Sequence, residues 1–181
     1  MKPATISEIQ KELSLLSQKE LLALCSRLLR FKKENKELVT YLLFDSIDQD
    51  GFVRKVNESV TSSFAEMNDS NVYLIKKSVR KILRVINKYI RFCGDTKMEL
   101  EMRIHFCKEL KQFKKEINSS QQLANIYNGQ IDKIHKATST LHEDLQGDFV
   151  QEISLLEWQV LSDQWSVIRG NMPWLKLNLE C

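Results

Sequence analysis

The chain contains few residues that interrupt helices: five glycines and two prolines among 181 residues. Because these residues end helices and build tight β-turns, such a sequence favours helix and leaves little room for hairpins. No apolar run approaches the ~18 residues that cross a bilayer, and residues 1–10 contain no hydrophobic signal core. The sequence therefore predicts a helical protein that is kept in the cytoplasm and has no place in a membrane.

Motifs of the common catalytic and metal sites are also missing. The sequence has no glycine-rich phosphate loop, no His-Glu-x-x-His, no Cys-x-x-Cys and no Gly-x-Ser-x-Gly. Its four cysteines lack pairing or metal spacing, which predicts reduced thiols, and Cys25, Cys93 and Cys107 fall at core-type helical positions. His135 and His142 are seven residues apart, about 10 Å along a helix, which is too far for two zinc ligands on one helix face. We therefore predict no enzyme activity, no catalytic residue, no metal site and no cofactor.

One segment imitates the start of a calcium-binding loop. Asp48 and Asp50 precede Gly51 at the spacing of the third, fifth and sixth positions of such a loop. The register fails at its ends, where Ser46 would be the first ligand and Asn57 the twelfth. The sequence therefore predicts a polar turn over residues 45–51.

Acidic residues are absent from the stretch 71–94, which carries seven cations. Residues 1–70 hold 10 Lys and Arg against 11 Asp and Glu, residues 71–139 hold 15 against 6, and residues 140–181 hold 2 against 7. At about 100° per residue, the apolar residues of the stretch 72–93 share one side of a helix and the cations share the other. The predicted partner-binding residues on this cationic side are Lys77, Arg80, Lys81, Arg84, Lys88 and Arg91.

The cationic side permits three interpretations. It can contact an acidic protein, contact the phosphate backbone of a nucleic acid, or be covered by the chain's own acidic end. Tyr89 and Phe92 lie away from its centre, so no aromatic platform for stacking bases is evident. The acidic protein partner is the interpretation that we favour, and nucleic-acid binding is the alternative.

Helix boundaries are readable from local signals. Thr5 with Glu8 and Ser17 with Glu20 match the capping box, and Gly94 suits the left-handed position after a helix end. Residues 68–71 precede the basic helix as a cap, and residues 146–148 are predicted to separate the last two helices. The predicted helices cover about residues 5–14, 18–32, a third segment up to 44, 53–67, 72–93, 96–117, 120–144 and an eighth segment after 148.

The last helix is predicted to be apolar on both sides. Phe149, Ile153 and Leu156 share one face with two later valines, while a second apolar face lies opposite. Such a helix is central to a core or shared between subunits, so we predict a homodimer through this helix. Residues 171–181 are predicted to be an extended or disordered tail. The predicted self-association residues are Trp158, Leu161, Trp165 and Ile168.

Three stretches carry a resemblance to a known family. They are KENKEL (33–38) running into TYLLF (40–44), KSVRKILR (77–84) with NKYI (87–90), and STLHEDLQ (139–146). In this order they resemble a family of small, uncharacterised, all-helical bacterial cytoplasmic proteins, and the similarity covers about residues 6–148. The family has no assigned activity, cofactor or catalytic residue, so the resemblance implies a helical cytoplasmic protein and no particular site.

Together these observations predict an all-α protein. Its fold class is a single domain (residues 1–170) of about seven or eight antiparallel helices, arranged as a helical bundle or as an array of helical hairpins. The predicted function is that of a non-catalytic interaction or adaptor protein, with the basic helix 72–93 as the contact for an acidic partner.

Overall fold

The structure is a computed structural model that describes residues 2–157, and helices make up most of that range. No strand occurs among these residues, so the predicted all-α fold class is confirmed. The helices are α1 (Ile6–Ser14), α2 (Gln18–Phe31), α3 (Lys33–Thr40), α4 (Gln49–Ala65), α5 (Val72–Cys93), α6 (Thr96–Lys111), α7 (Lys114–Ser119), α8 (Gln121–Thr138) and α9 (Glu143–Glu157), with a π-helical turn (Tyr41–Asp45) after α3.

Both predicted capping boxes are present at the starts of α1 and α2. The Thr5 hydroxyl accepts a hydrogen bond from the Glu8 backbone N–H at 3.3 Å, and the Glu8 carboxylate accepts from the Thr5 backbone N–H at 2.7 Å. Ser17 and Glu20 repeat this exchange. The bond from the Thr5 backbone lowers the pKa of Glu8, because it stabilises the charged carboxylate.

The predicted turn over residues 45–51 is shorter than expected. Helix α4 begins at Gln49, so Asp50 and Gly51 belong to its first turn and only residues 46–48 form the turn. Asp50 lies 3.8 Å from the Lys97 ammonium group, and its place in the first turn suits the positive end of the helix dipole. The aspartate and glycine that imitated a calcium loop therefore start a helix.

Three other predicted boundaries are wrong. The helix predicted over residues 96–117 is divided, because α6 ends at Lys111 and α7 begins at Lys114 after Phe113 leaves helical geometry at φ −93° and ψ 40°. The helix predicted over residues 120–144 ends at Thr138. The joint predicted at residues 146–148 lies inside α9, where Gly147 is tolerated as a helical residue.

The chain divides into two compact units, Met1–Asp48 and Gln49–Cys181. In the second unit α6 is the central helix, since it contacts α4, α5, α7, α8 and α9. A helix that is surrounded on several sides loses the one-sided apolar pattern of a surface helix. The end of the predicted domain at residue 170 and the predicted tail lie outside the described residues. The buried residues of α6 are Met98, Leu100, Met102, Arg103, Ile104, Phe106, Cys107 and Leu110.

The cysteines differ in burial, against the prediction that three of them occupy core positions. Cys107 is buried, Cys93 is half-buried and Cys25 is exposed. Burial raises the pKa of the Cys107 thiol to about 12, since the thiolate would lose its hydration. The prediction fails for Cys25 because α2 has an apolar side but buries none of its residues.

Candidate anion-binding face

Helix α5 begins and ends where the sequence predicts. The Asn71 side chain accepts a hydrogen bond from the Leu74 backbone N–H at 3.0 Å, which caps the amino end. Gly94 has φ +60°, and its N–H donates to the Ile90 carbonyl at 3.0 Å. Glycine adopts this left-handed conformation without the strain that a Cβ would introduce. The two caps define the ends of a helix of 22 residues.

The apolar side of α5 is buried, so the opposite side of the helix faces away from the core. Val72 and Cys93, which the pattern also assigned to the apolar side, are half-buried at the two ends. Phe92 is buried as well, so the apolar side is wider at the carboxyl end than the pattern suggests. The buried residues are Ile75, Val79, Ile82, Ile86, Ile90 and Phe92.

The cationic side is exposed for five of the six predicted residues, namely Lys77, Arg80, Lys81, Arg84 and Arg91. Lys88 differs, because it is half-buried and its ammonium nitrogen lies 4.6 Å from the centre of the Tyr89 ring. Tyr89 in turn packs edge-on against Phe52 of α4 at 5.6 Å between ring centres. Lys88 is therefore held by a cation–π contact at the edge of the packed core. We name the remaining five residues the basic face.

Three residues of the basic face have no acidic partner among the described residues. Within residues 2–157, no ion pair joins Lys77, Lys81 or Arg84 to a carboxylate. In α9, the acidic Glu152 pairs with Lys108 of α6 at 3.1 Å. The described part of the acidic segment 140–181 therefore forms an ion pair with α6. Uncovered like charges on neighbouring turns repel one another and favour an anionic partner.

A cleft of about 460 Å³ lies along the basic face. Arg80, Arg84 and Arg91 of α5 supply its cations, while Leu83 and Ile126 supply apolar surface. Ile126 belongs to α8, so the cleft is formed where α5 and α8 approach each other. The Arg80 guanidinium donates to the Gln122 side chain of α8 at 3.2 Å. This bond orients one arginine at the edge of the cleft.

A buried polar network lies behind the cleft. Arg103 of α6 is only 6% exposed, and its guanidinium donates to Glu99 at 2.6 Å, to Gln130 at 2.6 Å and to Asn87 at 3.2 Å. Asn87 also lines the cleft. The network thus links α5, α6 and α8, and it fixes the side chain of one cleft residue from the core side. A buried guanidinium needs such partners, because burying an unpaired charge is costly.

Sequence reasoning missed these network residues and the contribution of α8 to the cleft. The one available signal was the spacing of Glu99 and Arg103, four residues apart in a helix otherwise rich in apolar residues. No local signal marked Gln130 or Ile126, because their roles depend on which helices become neighbours. Asn87 is a neutral polar residue in a strongly basic helix, and nothing in its position indicated that it would bind Arg103.

A second polar cluster joins α4 to α6. The Thr61 hydroxyl lies 2.8 Å from Nε2 of His105 and donates to the Glu109 carboxylate at 2.8 Å. Burial is the main cause that lowers the pKa of His105, and the Glu109 charge opposes it. The neutral imidazole is therefore the form that the folded state favours.

His105 is expected to make folding stability fall with acidity. Its pKa in the folded protein lies below the ordinary value of 6.5, so the unfolded chain takes up protons first as the pH falls through 6.5. The free energy of unfolding should decrease as the pH falls from 6.5 to the pKa of His105 in the folded protein, and it should level off below that pKa. In a His105→Gln variant this component should be missing, which urea unfolding between pH 8 and pH 5 can measure. Equal pH slopes for the two proteins would contradict the expectation.

Other predicted elements stand as follows. Trp158, Leu161, Trp165 and Ile168 lie outside the described residues, so self-association through them stays a prediction. Within residues 2–157, no helix is long and apolar enough to cross a bilayer. No group of three or more His, Cys, Asp or Glu side chains suited to a metal ion occurs in that range either.

Comparison with known proteins adds no relative to this description. The resemblance to the bacterial family stays a prediction, as does the cytoplasmic location. The chain matches no protein-family model, no curated protein and no solved structure.

Proposed function

We propose that this protein is a non-catalytic helical interaction protein, an adaptor that binds an acidic protein through the basic face of α5. One observation carries the proposal: the exposed cations Lys77, Lys81 and Arg84 have no ion-pair partner among residues 2–157. Their helix is anchored by its buried side, so the cations remain on the surface in every side-chain rotamer. An acidic surface would relieve their mutual repulsion and speed encounter.

The cleft indicates which kind of acidic surface fits. Arginine guanidinium groups bind carboxylates through two parallel hydrogen bonds, and Arg80 and Arg84 are one helical turn apart, about 6 Å along the axis. Leu83 and Ile126 offer apolar surface beside them. An acidic helix that also carries an apolar side chain would use both features.

Nucleic-acid binding is the alternative, and the exposure of cations on successive turns of α5 favours it. Lysine and arginine on one helix face can contact consecutive phosphates and release counterions. Phe92 is buried and Tyr89 packs against Phe52, so Tyr73, which is 68% exposed, is the single ring that α5 presents beside these cations, and one ring is not a platform for successive bases. The apolar cleft surface also suits a side chain better than a sugar-phosphate backbone. We therefore place the protein partner first.

A binding titration with full-length, nuclease-treated protein tests the proposal. The probes are a labelled helical peptide of Glu, Ala and Leu, about 20 residues long so that it can form a helix, the same peptide with Ser for Leu, and a single-stranded DNA. We expect the Leu-containing peptide to bind more tightly than the Ser peptide. In the variant Lys77→Glu, Lys81→Glu, Arg84→Glu its affinity should fall roughly 10- to 100-fold at low salt.

The matched control is the variant Arg54→Glu, Lys115→Glu, Lys136→Glu, which reverses three exposed cations elsewhere in the second unit. It changes the net charge by the same amount and should retain most of the binding. Equal losses in both variants, or no peptide binding at low salt, would refute the proposal. Tight DNA binding that is lost with rising salt and in the α5 variant alone would move the alternative to first place.

A further inference from the structure

The polar side chains that line the cleft between α5 and α8 are rich in hydrogen-bond donors. Arg80, Arg84 and Arg91 line it, and a guanidinium group has donors but no acceptor. The remaining polar residue of the lining is Asn87, and the described lining includes no carboxylate. On the side of α8, residues 121–131 contain no charged residue. The lining, as far as the structure describes it, therefore favours an anionic ligand.

Asn87 presents its NH2 group to the cleft, because its carbonyl oxygen is already bound from the core side. The buried Arg103 guanidinium donates to Oδ1 of Asn87 at 3.2 Å. A carboxamide carries its oxygen and its nitrogen on separate arms, so the nitrogen does not face Arg103. Within residues 2–157, this NH2 group donates no hydrogen bond. Asn87 is thus a neutral residue that the core fixes with its donor end towards the cleft.

The donors lie along one line of α5. Arg80, Arg84 and Asn87 follow one another at intervals of four and three residues, which keeps them within about 60° around the helix axis. Arg80 is oriented by its bond to Gln122 of α8 at 3.2 Å, and Asn87 is oriented by Arg103. Arg84 lies between them, is exposed and has no ion-pair partner within residues 2–157. An anion beside Arg84 therefore meets two donors that are already positioned, which lowers the entropic cost of binding.

The number of donors and their charge favour a phosphate group over a carboxylate. Two guanidinium groups that each donate two hydrogen bonds, together with one NH2 group, offer about five N–H donors. A carboxylate has two oxygens and a single charge. A phosphate monoester has three terminal oxygens and a charge of about −1.5 to −2 at pH 7. It can therefore accept hydrogen bonds from Arg80, Arg84 and Asn87 at the same time.

The cleft also has apolar surface and space for the group that carries the phosphate. Leu83 of α5 and Ile126 of α8 both line it. Its volume of about 460 Å³ falls within the range of roughly 300–1,000 Å³ that is typical of small-molecule sites. A phosphate group fills only part of this volume, so an apolar or aromatic group of the ligand can contact Leu83 and Ile126.

We infer that the cleft binds a phosphate monoester whose organic part is apolar. The phosphate is held by Arg80, Arg84 and Asn87, and the organic part contacts Leu83 and Ile126. A small phosphorylated molecule has this chemistry, and so does a phosphorylated side chain of another protein. The inference goes beyond the proposed function and does not rest on it, because the donors of the cleft are the same whether or not an acidic protein covers the rest of the basic face.

Titration of the full-length, nuclease-treated protein with phenyl phosphate, followed by calorimetry or by NMR, tests the inference. The comparison ligands are benzoate, which carries a carboxylate on the same ring, and inorganic phosphate, which lacks the ring. We expect phenyl phosphate to bind with a dissociation constant of roughly 1 mM or below. Its affinity should exceed that of each comparison ligand about 10-fold. Equal affinities for phenyl phosphate and benzoate, or no binding of phenyl phosphate, would overturn the inference.

The variant Asn87→Asp tests the site itself. Aspartate still accepts from Arg103, so the buried network is kept, but the NH2 donor is lost and a negative charge is added beside the ligand. The affinity for phenyl phosphate should fall about 10-fold or more, while urea unfolding should show no loss of stability. The matched control is Gln151→Glu, at an exposed residue of α9, which adds the same charge and should keep the affinity within about twofold. Similar losses in the two variants would contradict the site.

A short peptide that contains phosphotyrosine identifies the source of the phosphate group. If the ligand is a phosphorylated side chain, the peptide should bind about 10-fold more tightly than phenyl phosphate, since its flanking residues add contacts. Equal affinities indicate a small phosphorylated molecule. Binding of the Glu, Ala and Leu peptide without binding of phenyl phosphate would refute this inference and leave the proposed function intact. The reverse result would refute the proposed function alone.

Discussion

Replacing Arg103 with methionine is expected to lower the free energy of unfolding by about 3 kcal/mol or more. The guanidinium is buried and donates hydrogen bonds to Glu99, Gln130 and Asn87. Methionine fills a similar volume but leaves the Glu99 carboxylate without its cation and two amide oxygens without this donor. Breaking a buried pair by removing one partner is costly for this reason. Urea unfolding of the two proteins, with the m-value compared, measures the effect.

The control for Arg103 lies on the same helix. Lys97 and Glu101 also stand four residues apart, 3.7 Å between their charged atoms, but Lys97 is about half exposed. Water solvates each charge of an exposed ion pair almost as well as its partner does. Lys97→Met should therefore lower the free energy of unfolding by less than about 1 kcal/mol. Similar losses at both positions would show that the Arg103 network contributes no more than a surface pair. A large loss at Arg103 alone establishes the network as a structural link between α5, α6 and α8.

Features that depend on neighbouring residues in the chain were predictable from sequence. The ends of α5 follow from Asn71 and Gly94, and its two sides follow from a clear helical period. The same holds for the capping boxes at Thr5 and Ser17. In these cases a short segment contains all the groups that determine the local conformation. The predictions were correct because no distant contact competes with them.

Features that depend on packing were not predictable. The cleft is lined by Ile126 of α8, and Gln122 of the same helix accepts a hydrogen bond from Arg80. Both residues lie about forty positions after the arginines that they accompany. The burial of Arg103 depends on α6 becoming the central helix of its unit. Cys25 is the reverse case, since it lies in a helix with an apolar side and yet is exposed. An apolar helix side predicts burial only if another element covers it. Periodicity identifies which side of a helix is apolar, but it does not identify what that side contacts.

The central position of α6 leads to the second large expected effect. Leu100 is 0% exposed, so Leu100→Ala should lower the free energy of unfolding by about 2–5 kcal/mol through lost apolar contact and the remaining cavity. Leu155→Ala, at a residue of α9 that is 65% exposed, makes the same chemical change and should cost roughly 0.5 kcal/mol or less. Thermal or urea unfolding of both variants, each compared with the native protein, provides the measurement.

Burial also indicates which unit supplies most of the stability. Because unit Met1–Asp48 has almost no buried residues, the free energy of unfolding should come chiefly from the core around α6. If Leu100→Ala and Leu155→Ala cost the same, α6 is not the centre of the core. The packing described for the second unit would then be wrong.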